Sequence, residues 1–596
     1  MSLRDALIRR FNLTNDAHGE VLDELASLCR LYDLTPEDLQ FKWEAFVVNS
    51  NIPATPTVEN VRLMKSNLQR EFELKLQQEK LTGVKKEATF NLSSYVPMSI
   101  DASNNNLDDF MAKLTGNLQP STGYSSSIPN LAGTTNSSIS HKRKSQASIH
   151  FSQRKLSNTV DEQYNSHLPL RHPLPGNRQR ADVNLIQNPI KEYRYMFEKI
   201  REKSEGLDDQ IEYIANAIDQ SYCLNGVFDN PTRSSQSPIV AVGRICCDAS
   251  EGKLNEKSVL LETSRQLGMG KRVKLDLTRL DKYALFPGQI IAVEGINSAG
   301  RSFVVDKLLM PPMPAAYSTS AKNPRANGTP SAATDMILAA GPYTLDDDLS
   351  YQPLEELIKT CIKQKPDVVL LLGPFISETH PMIATGAITT SPEDIFKEEV
   401  IARLATLAKE SPTTRILLVP HANDVIHEYP MFPQPPLKRS LLVDGIESLS
   451  NPASIEINGS AFTISNIDAI FSLSCEEIAK SRIKSDRLAR LAQHLLQQQS
   501  LYPLFPPAIG DSIDAERMPD IQIPFAPDIL IVPSQLKHFT RVIEGVMCVN
   551  PGYLSKRQSG GTYAHLAIQP LPQRSESNIN DGAKLHERTR VDLIKL

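Results

Sequence analysis

Asp367-Val-Val-Leu-Leu-Leu-Gly-Pro-Phe-Ile-Ser377 decides how this sequence is read. Val368, Val369, Leu370, Leu371 and Leu372 form an unbroken apolar run, the pattern of a strand covered on both faces, and Gly373-Pro374 stops it. Helical patterns flank it. Pro353–Lys363 precedes it, and Pro392–Ala408, with Ser391 as its cap, follows. Further strands are expected at Met336–Ala340, Arg415–Pro420, Asn466–Leu473 and Pro527–Val532, with more β structure at Phe539–Val549 and Tyr563–Ile568. Ser485 opens a helix with Leu488, Leu491 and Leu495 on one face. Strands alternating with helices point to a layered α/β sheet, and such sheets bind ligands beyond the carboxyl ends of their strands.

The end of this strand resembles the place where metallophosphoesterases of the calcineurin type carry Gly-Asp-x-x-Asp, whose first Asp ligates metal. Here Gly373 is followed by Pro374, and Ser377 stands where the second Asp would be. Proline offers a metal no side-chain donor, and a hydroxyl is a poor substitute for a carboxylate. The other loops depart in the same way. Gly341-Pro342-Tyr343 stands where Asp-x-His belongs, and Asn550-Pro-Gly552 lacks the histidines of the last motif. His421-Ala-Asn423-Asp424 has the residue types of Gly-Asn-His-Asp/Glu in another order, and it is the strongest argument for surviving chemistry. His380, His427, His538 and His565 read as surface or packing residues, and Asp346-Asp347-Asp348 as a solvated loop. No metal and no cofactor is expected.

Composition limits the alternatives. A chain of 596 residues, 40% hydrophobic, has room for about two to four domains. A net charge of −5 gives no global footprint for nucleic acid. No apolar run is long enough to span a membrane, and the first residues lack the apolar core of a signal peptide. Seven scattered cysteines without Cys-x-x-Cys spacing argue against zinc sites and disulfides and for a reducing compartment.

Along the chain, residues 1–80 read as a small helical module, and nothing in them separates a plain folded module from a helical docking domain. Thr35-Pro36-Glu37-Asp38 starts a helix, and Val58, Val61, Met64, Leu68 and Phe72 make an apolar stripe. Residues 81–185 are rich in Ser, Asn, Thr and Gly and are expected to be a disordered basic linker. Residues 141–180 hold eight Lys/Arg against two Asp/Glu, and Lys142, Arg143, Lys144, Arg154 and Lys155 suit a bipartite nuclear import signal. The bland alternative is a solvated basic linker. In residues 186–232, Leu207, Ile211, Ile214 and Ile218 mark helix, with Gly206 dividing two helices that pack on the core.

Residues 233–325 show five short strands, as in an OB-type barrel: Ile239–Cys246, Ser258–Glu262, Val273–Leu277, Gln289–Glu294 and Phe303–Leu309. Gly295-Ile-Asn-Ser-Ala-Gly300-Arg301-Ser302 nearly matches a phosphate-binding loop. But Arg301 replaces the lysine, and strand-forming residues follow where a helix is required, so a hairpin turn is expected. OB barrels stack single-stranded nucleic acid on exposed aromatics, but this one offers few, Tyr283, Phe286 and Phe303, so packing against a partner is the expected use. Residues 326–596 complete the chain as the α/β domain. Serine or threonine precedes proline at Thr35, Thr55, Ser237, Thr329, Ser391 and Ser411; Thr55, Ser237 and Thr329 fall in expected loops and are candidate phosphorylation sites.

The stretch Ser485-Asp-Arg-Leu-Ala-Arg-Leu-Ala-Gln-His494-Leu-Leu-Gln-Gln-Gln-Ser500-Leu-Tyr-Pro-Leu-Phe-Pro-Pro507, taken with Gly341-Pro-Tyr343, Leu372-Gly-Pro-Phe375 and Asn550-Pro-Gly552, resembles the B-subunit family of DNA polymerase alpha–primase over essentially the whole chain. The fold class implied is multidomain α+β: an N-terminal helical bundle, a disordered linker, an OB-type β-barrel and an inactivated calcineurin-like phosphoesterase α/β domain. The resemblance further implies a nuclear, phosphorylated, non-catalytic subunit. It would grip the C-terminal zinc-binding domain of the catalytic subunit of DNA polymerase alpha and join the small and large primase subunits through the complex. Residues 1–80 would tether other replication factors, with DNA contact weak or indirect. Two alternatives stay open: a metal-dependent phosphoesterase with rearranged ligands at His421, Asn423 and Asp424, and a stand-alone single-strand-binding protein.

Overall fold

A computed structural model describes residues 157–170, 180–249, 252–317, 333–481, 486–570 and 584–596, together with Phe151, Arg154 and scattered positions between residues 7 and 64. The chain divides into two compact units, Met1–Ile139 and Ser140–Leu596. In the first, Leu7, Leu22, Leu25, Leu39, Trp43, Val61 and Met64 are buried in one cluster, so Val61 and Met64 of the expected stripe face a core.

The second unit is built on two sheets. Alternation along the strand Val368–Leu372 shows why its whole run is apolar. Val369 and Leu371 enter one core beside the helices Gln352–Gln364 and Ala402–Glu410, while Val368, Leu370 and Leu372 enter another. Its neighbours Thr334–Ala340 and Arg415–Val419 run parallel to it and alternate likewise, and Ile446–Ser448 closes that edge. On the other side Thr562–Ile568, Thr589–Lys595 and Thr159–Tyr164 add antiparallel strands, giving seven in all. A six-stranded sheet packs on the second core in the order Phe539–Ile543, Val546–Asn550, Ile529–Ile531, Ser460–Ile464, Ala453–Ile457, Val183–Leu185. Ile529 and Ile531 face the sandwich. Leu530 and Val532 face the helices Ala469–Glu476 and Arg487–Gln497.

Five strands close a barrel in the order Ile239–Cys247, Val259–Glu262, Arg272–Asp276, Ser302–Leu309, Ile290–Ile296. Ile290–Ile296 and Ser302–Leu309 pair antiparallel, so Asn297–Arg301 is the hairpin turn that its strand-forming flanks demanded. The helix Ile200–Tyr222 lies on the barrel, burying Ile211, Ile214, Ala215 and Ile218 against Val242, Ile290, Ala292 and Leu309.

The barrel is fastened to the sheets by the stretch that carried the family resemblance. Gln498 imitates a strand partner: its side-chain oxygen accepts from Ile290 N at 2.7 Å and its amide donates to Ile290 O at 2.9 Å. Gly288, at φ +97°, lies so close to the chain at Pro503–Phe505 that a Cβ would stand 2.3 Å from Phe505 N. No other residue fits there.

Four expectations are corrected. Gly206 does not divide two helices, because one helix runs from Ile200 to Tyr222; the missing side chain instead allows approach to Ala515 O, 3.3 Å from where a Cβ would lie. Asn466–Leu473 is not a strand. The strand is Ser460–Ile464, and Asp468 then caps the helix Ala469–Glu476 by accepting from Phe471 N. A short, mostly buried helix has the same apolar run as a buried strand. The expected Pro392–Ala408 helix is in fact three joined segments, with a wider π-type turn at Phe396–Ile401. The tail of the linker is folded: Thr159–Tyr164 pairs with Thr589–Lys595, and Val183–Leu185 with Ala453–Ile457. Its polar sequence hid the strand, since ion pairs rather than apolar burial hold it. Asp161 meets His538 at 2.8 Å and Lys595 at 2.6 Å, and Glu162 meets Arg541 at 2.8 Å. Residues 81–150 lie outside the described residues.

Candidate functional site

The loops beyond the carboxyl ends of the parallel strands meet where a ligand would bind in a sheet of this kind. Gly341 ends the first, and a Cβ on it would stand 2.1 Å from Pro374 O, so two loops touch backbone to backbone. Tyr343 then turns inward. Its hydroxyl lies 3.1 Å from Ala339 O and 2.9 Å from Leu372 O, and its ring stacks on Phe375 at 5.5 Å. Burial pushes its phenol well above the usual range. A neutral aromatic side chain therefore fills the ground between these strand ends.

Asp424 is the one carboxylate of the candidate set, and its oxygens are directed at the protein. It accepts from Phe375 N at 2.6 Å and Ile376 N at 3.1 Å, holding the turn that ends the strand Val368–Leu372. Burial pushes its pKa up to about 7, against the opposing pull of the N–H groups of Phe375, Ile376 and Ile426. His421 accepts from Asn423 N through Nδ1 at 3.0 Å, and its packed surroundings hold its pKa down to about 4. Gly373 lies between them: a Cβ there would meet Asp424 Oδ2 at 3.1 Å and His421 Cβ at 3.2 Å. Thus Gly373, His421 and Asp424 do come together. Ser377 is bridged to Asp424 through the backbone, while its hydroxyl pairs with Thr379 Oγ1 at 2.8 Å.

Three amides missed in the sequence complete the arrangement. Asn466, 2% exposed, donates through Nδ2 to Gly373 O at 3.1 Å and Pro420 O at 2.9 Å. Asn451 donates to Asn466 O at 3.0 Å and Gln434 Oε1 at 3.1 Å. An amide set among Ile464, Ile467 and other buried apolar residues was the available signal, since it can be buried only if bonded. Nearby, Asp468 accepts from Phe471 N at 3.0 Å and Gln535 N at 2.8 Å, and burial raises its pKa to about 6. Asn550 accepts from Ser534 N and Gly552 N, both at 2.9 Å.

Chemically, this mouth offers the carboxylate of Asp424, with that of Asp468 nearby, a neutral imidazole and amides, and Asp424, His421, Asn466 and Asn451 are each bonded to backbone or to another amide. A two-metal hydrolytic centre needs several free oxygen and nitrogen ligands converging on ions about 3.5–4 Å apart. Among the described residues no group of three or more His, Cys, Asp or Glu converges in this way. His380 bonds Leu345 O, His427 bonds Pro435 O, His538 pairs with Asp161 and His565 with Asp335, so each is a packing residue tied to its own neighbour.

The remaining candidates lie apart. Tyr283, Phe286 and Phe303 are buried, leaving none of the three as a stacking surface. Arg154 stacks on Phe151 at 3.7 Å and pairs with Glu356 at 3.0 Å. Lys142, Arg143, Lys144, Lys155, Thr55 and Thr329 lie outside the described residues. No described helix is long and apolar enough to cross a membrane.

Comparison with known proteins matches the sequence to three family models. These are the N-terminal region of the DNA polymerase alpha B subunit over residues 2–71, the OB domain of the same B subunit over 204–311, and the DNA polymerase alpha/epsilon B subunit over 336–541. The five-stranded barrel is therefore an OB domain. The DNA polymerase alpha B subunit of Schizosaccharomyces pombe is 35% identical over 427 residues, 68% of this chain and 73% of that one. Its rat counterpart is 35% identical over 396 residues, 65% of this chain and 64% of its own length, and the Saccharomyces cerevisiae counterpart 33% identical over 462 residues, 67% and 65%. The chain thus spans somewhat less than two thirds of the rat relative. A solved archaeal phosphodiesterase aligns over 39% of this chain and 93% of its own at 11% identity and a TM-score of 0.19, too loose a superposition to bear on the fold. By the fission yeast match above all, the chain belongs to the family of DNA polymerase alpha B subunits.

Proposed function

We propose that this chain is a non-catalytic accessory subunit of the DNA polymerase alpha–primase complex, its α/β domain a phosphoesterase scaffold that has lost its chemistry. One observation carries the reading: the polar atoms at the mouth of the parallel sheet are bonded to one another, with Asp424 turned onto Phe375 N and Ile376 N and Asn466 bridging Gly373 O and Pro420 O. What remains useful is the body itself. The barrel and sheets, fastened through Gln498 and Gly288, offer a rigid platform for the C-terminal zinc-binding domain of the catalytic polymerase subunit, with the small and large primase subunits joined through the complex. Residues 1–80 dock other replication factors, the basic stretch around Lys142–Lys144 directs the chain to the nucleus, and residues 326–596 act without metal.

Affinity purification of the full chain from nuclear extract at moderate salt, with mass spectrometry of the eluate, tests this. A polymerase catalytic subunit and two primase subunits in near-equal amounts are expected. A chain that elutes alone overturns the reading.

A further inference from the structure

The seven-stranded sheet ends on Thr159–Tyr164, and no side chain of that strand is buried. Val160 is 44% exposed, and Tyr164, half-buried, packs on the core behind. Val591 and Leu593 of the neighbouring strand Thr589–Lys595 are the residues buried in that core. An asparagine in the left-handed region marks off the outer strand at each end, Asn158 at φ 57° and Asn165 at φ 51°. Asn158 N donates to Lys595 O at 2.8 Å. Asn165 Nδ2 donates to His586 O at 2.7 Å and Thr589 O at 2.8 Å.

The register of this strand is interrupted once. Val160 pairs with Ile594 and Glu162 with Leu593, so Asp161 is the extra residue of a bulge. In a regular strand two consecutive side chains leave on opposite faces. Here the bulge sends both acids the same way, toward the edge strand Phe539–Ile543 of the six-stranded sheet and the residues that lead into it. Asp161 Oδ2 accepts from His538 Nε2 at 2.8 Å, and Glu162 meets Arg541 at 2.8 Å and Lys537 at 3.9 Å. Lys595 reaches Asp161 Oδ1 at 2.6 Å, and that bond keeps the carboxyl below its usual range. Arg541 is shared with Asp486 at 2.6 Å. The edge thus offers an extended chain a backbone ladder along Thr589–Lys595 and, around one bulge, the cations Lys537, Arg541 and Lys595. Exposed ion pairs each contribute little and are screened by salt, so the strand that now lies there is lightly held.

We propose that this edge is a docking site for an acidic extended peptide of a partner protein, and that the chain's own Thr159–Tyr164 covers it at rest and yields to such a peptide. Recognition is by strand addition: main-chain bonds to Thr589–Lys595 supply affinity, and two consecutive acids at the bulge supply selectivity. Charge complementarity names the occupant, because a neutral or basic strand would leave Lys537 and Lys595 without the carboxylates they now meet. The resident strand is tethered and so has a high effective concentration, which a competing peptide must overcome by binding more tightly than a free copy of that strand. The inference stands on this edge alone and does not depend on the function proposed for the α/β domain.

The test uses the full chain at low salt and a fluorescent synthetic peptide of residues 157–166, Ser-Asn-Thr-Val-Asp-Glu-Gln-Tyr-Asn-Ser, with binding read by anisotropy. Amide hydrogen exchange over residues 159–164 reports whether the resident strand has lifted. In Asp161→Lys with Glu162→Lys, that exchange should rise on the order of tenfold or more while Thr562–Ile568 keeps its protection. The peptide should bind this variant at least about tenfold more tightly than it binds the unaltered chain, and less tightly as salt rises. A peptide with Asn and Gln in place of the two acids should not bind. Saturating acidic peptide should raise exchange over residues 159–164 of the unaltered chain as well. A lifted strand with no peptide binding would overturn the docking site, and equal binding of the neutral peptide would overturn the selectivity of the bulge. Exchange that stays unchanged, or that rises equally in Thr562–Ile568, would overturn the yielding of the resident strand.

Discussion

The mouth of the parallel sheet and the seam along the helix Arg487–Gln497 each bury a carboxylate, and they treat it in opposite ways. At the seam Glu477, its side chain 2% exposed, meets Arg490 at 2.7 Å and His494 at 2.9 Å. Burial alone would raise its pKa, but these partners bring it down to about 2. At the mouth Asp424 meets only backbone N–H groups, and burial holds its pKa up at about 7. One site stabilises full charge with charge of opposite sign. The other keeps a carboxylate that is half neutral near physiological pH. A catalytic metal centre must gather several ligands, and among the described residues no group of three or more His, Cys, Asp or Glu is placed to hold an ion.

Breaking the charged side should cost most. Glu477→Gln leaves Arg490 short of its counter-charge and His494 without its carboxylate partner, and a loss of about 3–5 kcal/mol in urea unfolding is expected. At the far end of the same helix, Gln498→Ala strips Ile290 of both backbone partners, for about 2–3 kcal/mol, and should let the barrel open from the sheets before global unfolding in hydrogen exchange. In the mouth, Asn466→Ala leaves Gly373 O and Pro420 O unbonded, for about 1–2 kcal/mol.

The smallest change in stability belongs to Asp424→Asn, about 1 kcal/mol at neutral pH, because one accepting oxygen becomes an NH2 that cannot receive the N–H of Phe375 or Ile376, and there the comparison is sharpest. Asp424 has a folded pKa raised above its unfolded value near 3.9, so the stability it contributes is complete below about pH 4 and is lost as pH rises toward 7. Glu477 has a depressed folded pKa, so its contribution is present above about pH 4.3 and is lost as pH falls toward 2. Denaturation series across pH should show Asp424→Asn flattening the first slope and Glu477→Gln the second. Equal behaviour of the two variants would dissolve the distinction.

Much of this was legible in the sequence where apolar pattern and position coincide. Val368–Leu372 was readable as doubly covered because alternate residues serve two cores. The barrel strands were found because Val273 and Leu275 alternate with Arg272 and Lys274. Thr589–Lys595 escaped notice because Asp592 is buried through its pairing with Arg590, which masks the alternation of Val591 and Leu593. Thr159–Tyr164 escaped because its partners, His538, Arg541 and Lys595, lie hundreds of residues away. At the mouth, Pro374 and Ser377 could be read directly as residues that offer no carboxylate. The inward direction of Asp424 could not, because it depends on where Phe375 N and Ile376 N arrive in space.

Manganese titration of the purified full chain, followed by calorimetry and by hydrolysis of bis(p-nitrophenyl) phosphate, tests the mouth most directly. The expected result is no stoichiometric binding and no hydrolysis above background, unchanged in Asp424→Asn. Binding of one or two manganese ions per chain with hydrolysis that Asp424→Asn abolishes would contradict it, and His421 and Asp424 would then be ligands.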